Sequence, residues 1–99
     1  MRLTETQRHS IKSVVASIIG EGSRVWLFGS RVDDAQRGGD IDLLIETDQV
    51  IPSRTNALCR LEGALAMRLG DRKTDLLLKD ARTADAPIFR AARQQGVLL

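Results

Sequence analysis

Four consecutive apolar residues, Val25-Trp26-Leu27-Phe28, lie between Gly22-Ser23 and Gly29-Ser30. A run this short, closed at both ends by glycine, reads as a strand buried on both faces, at the centre of a sheet. The rest of the chain must be arranged around it, because 99 residues are enough to bury a single two-layer core. The expectation is one domain spanning residues 1–99.

Ahead of this strand, Ile11, Val14, Val15, Ile18 and Ile19 recur at the spacing that lays one apolar stripe along a helix. Thr4 with Gln7 three residues on suits a capping box, and Gly20 suits the helix end. Behind the strand, Arg31 to Gly39 is polar, ends in two glycines and reads as a loop. Asp40-Ile41-Asp42-Leu43-Leu44-Ile45 then predicts a second strand. Pro52-Ser53 opens a second amphipathic helix with Leu58, Leu61, Leu65 and Leu69 inward, closed by Gly70. Lys73–Leu78 predicts a third strand, followed by a polar connection to Ala86. Pro87 starts a short helix to Gln95 with Ile88, Phe89 and Ala92 on its apolar side, and Gly96 ends it. This order predicts a small α/β (α+β) sandwich, a mixed sheet of about three or four strands covered by helices. Val97-Leu98-Leu99 is expected to pack on the sheet or on a second subunit.

Three features in chain order make chemical sense together: a Gly-Ser turn leaving the buried strand, an Asp-x-Asp pair entering the next strand, and a third aspartate on a later one. Asp40 and Asp42 are two residues apart, so the period of a strand points both carboxylates to one face. Carboxylates so placed suit magnesium, which takes one or two of them together with phosphate oxygens of a substrate. Taken alone, the pair fits a strand with one solvated face equally well. Gly29, which lacks a Cβ, would let backbone amides approach a phosphate, and Ser30 adds a hydroxyl. Asp75, on the third strand, can reach the same ion or cap its strand. Were all three aspartates to converge, two magnesium ions about 4 Å apart would hold an attacking hydroxyl and a leaving pyrophosphate in line, with Asp75 as ligand or proton acceptor.

Composition narrows the alternatives. The chain is 42% hydrophobic and 28% charged, and no segment approaches the roughly 20 apolar residues of a membrane span. The first residues enter a polar helical pattern without a signal-peptide stretch, and the single cysteine, Cys59, fits a reducing cytoplasm. The net charge of +2 is spread along the chain and only Trp26, Phe28 and Phe89 are aromatic, so direct nucleic-acid binding is not expected. His9 reads as a surface residue, Cys59 as a partly buried small hydrophobe, Trp26 as core, and Arg54, Arg60 and Arg68 as a solvated helix face.

Gly29-Ser30-Arg31 followed by Asp40-Ile41-Asp42-Leu43-Leu44-Ile45 resembles the signature of the DNA polymerase beta-like nucleotidyltransferase superfamily. The short chain narrows the likeness to the minimal nucleotidyltransferases, or MNT proteins, usually encoded beside an all-helical HEPN protein. The resemblance covers nearly the whole chain. It implies a polymerase beta palm-like fold and magnesium-dependent transfer of AMP from ATP to a hydroxyl. Asp40, Asp42 and Asp75 would be the metal-binding catalytic carboxylates, and Gly29, Ser30 and Arg31 the nucleotide-binding turn. It implies further that the acceptor is a HEPN-type toxin, at a tyrosine, so that the chain acts as an antitoxin in a hetero-oligomer or homo-oligomer. The pattern departs from the family at Asp33, Asp34 and Gly39. Two carboxylates there raise the negative potential near a triphosphate unless Arg31 or Arg37 offsets them. Two other readings are an antitoxin that neutralises its partner by contact alone, and an enzyme that adenylylates a small molecule.

Overall fold

In a computed structural model, residues 3–29, 41–70 and 73–99 are described. Two long periodic segments form the expected helices. α1 (Glu5–Ile18) begins in a complete capping box, the Thr4 hydroxyl accepting from the Gln7 N–H while the Gln7 side chain accepts from the Thr4 N–H. α2 (Arg54–Leu69) is capped by the Ser53 hydroxyl, which accepts from the Asn56 N–H, and it stops at Gly70, whose φ is 78°. Both pack on one face of a sheet formed by β1 (Arg24–Phe28), β2 (Ile41–Glu46), β3 (Thr74–Lys79) and β4 (Val97–Leu98), in the order β3-β2-β1-β4. β1 is antiparallel to β2 and to β4, and β2 is parallel to β3. The chain is a small α+β domain with a mixed sheet.

The strand period divides this sheet into two unlike faces. Val25, Leu27, Ile41, Leu43, Ile45 and Leu78 enter the main core with Ile11, Val14, Val15, Leu61 and Leu65 of the two helices. The opposite face carries Trp26, Phe28, Asp42, Leu44, Glu46, Asp75 and Leu77, and α3 (Pro87–Gln95) crosses part of it. Leu44 and Ala92 are buried there, outside the main core. Gly96 allows the close approach of α3 to β1, because a Cβ at this position would lie 2.4 Å from the Ala92 carbonyl oxygen and 2.9 Å from that of Leu27.

Several expectations are corrected. β1 is central in the sheet, but it is fully buried on one face only: Val25 and Leu27 are buried, while Trp26 and Phe28 are half-buried because α3 covers only part of their face. Ile88 is 56% exposed although it was expected inward, since the short α3 turns Ala92 toward the sheet. Cys59 is exposed, one position outside the stripe set by Ala57, Leu61 and Leu65. At the C-terminus the expectation of packing on the sheet holds: Val97 and Leu98 form an edge strand, and Leu99 is buried at its end. The polar connection after β3 also holds a buried charge at Asp80.

Candidate functional site

Asp42 and Asp75 lie opposite each other in the parallel register of β2 and β3, on the face away from α1 and α2. Register partners point to the same side, so two strands far apart in sequence deliver two carboxylates to one place. Asp42 is half-buried and Asp75 is exposed. Lys73 Nζ stands 3.9 Å from Asp75 Oδ1, an exposed contact that screens the carboxylate weakly and leaves it open to other groups.

Gly29 leaves β1 beside this pair, where Phe28 is the register partner of Asp42. Its φ is 75°, a conformation that favours glycine. A Cβ on Gly29 would fall 2.2 Å from Asp42 Oδ2, so the absence of a side chain makes room for the aspartate itself. The sequence suggested a glycine kept bare for a phosphate; the structure adds that it is kept bare for Asp42.

Of the other expected site residues, Ser30, Arg31 and Asp40 lie outside the described residues, as do Asp33, Asp34 and Arg37. Among the described residues no three His, Cys, Asp or Glu side chains form a group able to hold a metal. Asp42 and Asp75 by themselves supply hard oxygen donors in the number magnesium usually takes from a protein, and this donor set fits that ion.

Farther along the same face of β2, beyond Leu44, a polar cluster escaped the sequence reading. Glu46 is 6% exposed, and its carboxylate accepts from Trp26 Nε1 at 2.9 Å and from Arg93 Nη1 at 2.6 Å. Arg93 also donates to both oxygens of Asp85, which holds that carboxyl below its ordinary pKa and raises the pKa of the guanidinium. The cluster ties α3 to β1 and β2 and satisfies a charge that burial would otherwise penalise. Trp26 was expected in the core; it is half-buried, with its polar edge committed to Glu46. Only the strand pairing, which puts Trp26 and Glu46 on one face, could have revealed the cluster.

A second missed cluster centres on Asp80, whose carboxylate accepts from the Ile51 N–H, the Arg82 N–H and the Thr83 hydroxyl. These bonds, with Arg54 Nη1 at 3.7 Å, hold its pKa down to about 2, the Ile51 bond contributing most. Arg54, expected on a solvated helix face, also donates to the Thr83 hydroxyl and to the Leu78 carbonyl. His9, Arg60 and Arg68 are exposed, as expected.

Two recesses flank the sheet. One of about 420 Å³ lies beside Asp75, lined also by Glu62, Ala66, Lys73, Thr74 and Leu76. The other, of about 570 Å³, is at the opposite end of β1, near Arg8, Lys12, Arg24 and Leu99, and does not reach the aspartates. No helix among the described residues is long and apolar enough to cross a membrane. Compared with protein-family models and with curated proteins, the chain matches none.

Proposed function

We propose that the chain is a minimal nucleotidyltransferase of the polymerase beta-like kind, which transfers AMP from ATP to a hydroxyl of a HEPN-type partner toxin and so acts as an antitoxin. The observation that carries this reading is the register of Asp42 opposite Asp75, with Gly29 shaped around the Asp42 carboxylate. A mixed sheet with a helical layer behind the aspartates is compatible with a nucleotidyltransferase fold.

In the reaction, the acceptor oxygen forms a bond to the α-phosphorus of ATP. The bond from that phosphorus to its bridging oxygen breaks, and pyrophosphate leaves with the electron pair. Asp42 and Asp75 would hold magnesium, which when bound would offset negative charge on the phosphates. Asp75, the more exposed of the two, suits the acceptor side, where it would orient the hydroxyl and take its proton. Gly29, Ser30 and Arg31 would form the turn around the triphosphate.

The test is incubation of the purified chain and the protein encoded beside it with labelled ATP and magnesium. Label should appear on the neighbouring protein and vanish with Asp42→Asn. If no common nucleoside triphosphate gives label, and a chain with Asp40→Asn and Asp42→Asn still neutralises the partner in cells, neutralisation is by contact and the transfer reading falls.

A further inference from the structure

The two edges of the sheet are finished differently. One is β4, only 2 residues long, whereas the other is the 6-residue β3, which contains no proline. Short strands, prolines and charged side chains, lysine above all, are common ways of preventing an edge from pairing with another chain; β3 has neither of the first two, and Lys79 at its end is its one lysine. The carbonyls of Lys73 and Lys79 accept from the N–H groups of Ile41 and Thr47, so the odd-numbered residues of β3 turn their backbone groups toward β2. Those of Thr74, Leu76 and Leu78 therefore point outward. The Leu78 carbonyl is taken at 2.5 Å by Arg54. Among the described residues, nothing bonds the outward groups of Thr74 and Leu76.

We propose that the open edge of β3 docks an extended segment of the acceptor protein as an added antiparallel strand, which sets the acceptor hydroxyl against Asp75. This inference rests on the transfer reading for the identity of the partner. The edge geometry carries the docking itself.

In such a pairing, the residues opposite Thr74 and Leu76 exchange backbone hydrogen bonds with them. The residue opposite Asp75 then falls in a non-hydrogen-bonded pair, the closer kind, with Cβ atoms about 4.5–5.5 Å apart. Its side chain shares the face of Asp75 and Asp42, where the hydroxyl is needed. The neighbouring side chains of the segment turn the other way, toward the recess of about 420 Å³ lined by Glu62, Ala66 and Leu76. Backbone bonds would supply affinity and the alternating pockets selectivity, as in other cases of strand addition. Charge defines the segment further. Lys73, immediately before β3, and Lys79, its last residue, share the Asp75 side by the strand period, so the favoured segment carries acidic residues flanking its hydroxyl residue.

The test uses the full chain and the protein encoded beside it, with amide hydrogen exchange read on the wild-type chain and labelled-ATP transfer read on the wild type and on Thr74→Pro. Proline at the first position of an edge strand keeps the bonds to β2 but removes an outward donor and obstructs an added strand. Adding the partner should slow exchange at the Thr74 and Leu76 amides at least about tenfold, and Thr74→Pro should raise KM for the partner at least about tenfold with KM for ATP unchanged. Transfer without protection of these amides, and unaltered in Thr74→Pro, overturns the docking edge and leaves the transfer reading intact. Protection without transfer keeps the docking edge and removes the transfer reading. Neither protection nor transfer overturns both. The exchange measurement needs no variant, so it decides the matter even if Thr74→Pro fails to fold.

Discussion

At Gly29 two penalties would meet on substitution. A φ of 75° disfavours any L side chain, and a Cβ would overlap the Asp42 carboxylate. Gly22 provides the control, because its φ is 86° but nothing lies within 4 Å of a built Cβ. Gly22→Ala should therefore cost about 1–2 kcal/mol, the backbone term alone, while Gly29→Ala costs more and also displaces Asp42. In an Asp42→Ala background the extra cost should largely disappear, since the closest clash goes with the carboxylate. Urea denaturation of the four chains measures this coupling, and equal costs in both backgrounds would dismiss the Asp42 contact. The sequence offered Asp40 and Asp42 as candidates by their spacing and Asp75 by its place on a later strand, but the contact between Gly29 and Asp42 arises only once β1 and β2 pair. Asp80 was hidden for a similar reason. Its main partner, the Ile51 amide, lies 29 residues away in sequence. Its folded pKa, near 2, is below the ordinary 3.8, so its charge stabilises the fold above pH 3.8 and this contribution is lost as pH falls toward about 2. Asp80→Asn should lower the urea midpoint at neutral pH and flatten its dependence on pH across that acid window. A profile as steep as that of the wild type would assign the acid transition to other groups, Asp85 first among them.

Among the elements, legibility followed length. α1 and α2 repeat their apolar spacing over 14 and 16 residues, and both were read with their caps. β4 has 2 residues, too few to show any period, and it exists as a strand because β1 offers it an edge. α3 was read in its bounds but not in its packing, because 9 residues leave the inward direction to be decided by what docks. Here the Glu46–Arg93 bond and the bare Gly96 decide it. Gly96 has a φ of −90°, which any residue adopts, so Gly96→Ala carries no backbone strain. Its added methyl group meets two carbonyl oxygens belonging to the helix and the strand that must stay in contact. The expected loss is about 1–3 kcal/mol, as in other overpacked sites, read as a lower urea midpoint. Amide exchange should rise in α3 more than in α1 or α2, and a uniform rise would argue against a local lever between α3 and β1.

For the whole molecule, the candidate site and the stability of the fold make opposing demands. Asp42 and Asp75 stand opposite each other on neighbouring strands, and like charges placed directly opposite are destabilising. Lys73 at 3.9 Å offsets this only slightly, because both partners are exposed. Without a cation, Asp75→Asn should accordingly melt higher than the wild type, by about 4–8 °C for each kcal/mol of repulsion relieved in a domain of this size. Activity should move the other way. If the pair holds magnesium, the same substitution removes a ligand and, with it, transfer of label from ATP. Adding magnesium should then raise the melting temperature of the wild type, because a ligand that binds only the folded state stabilises it, and should raise that of Asp75→Asn far less. Thermal melts of both chains, with magnesium and with a chelator, separate this arrangement from a merely solvated strand face. In the solvated case the two chains would respond to magnesium alike, and removing the carboxylate would leave transfer unchanged.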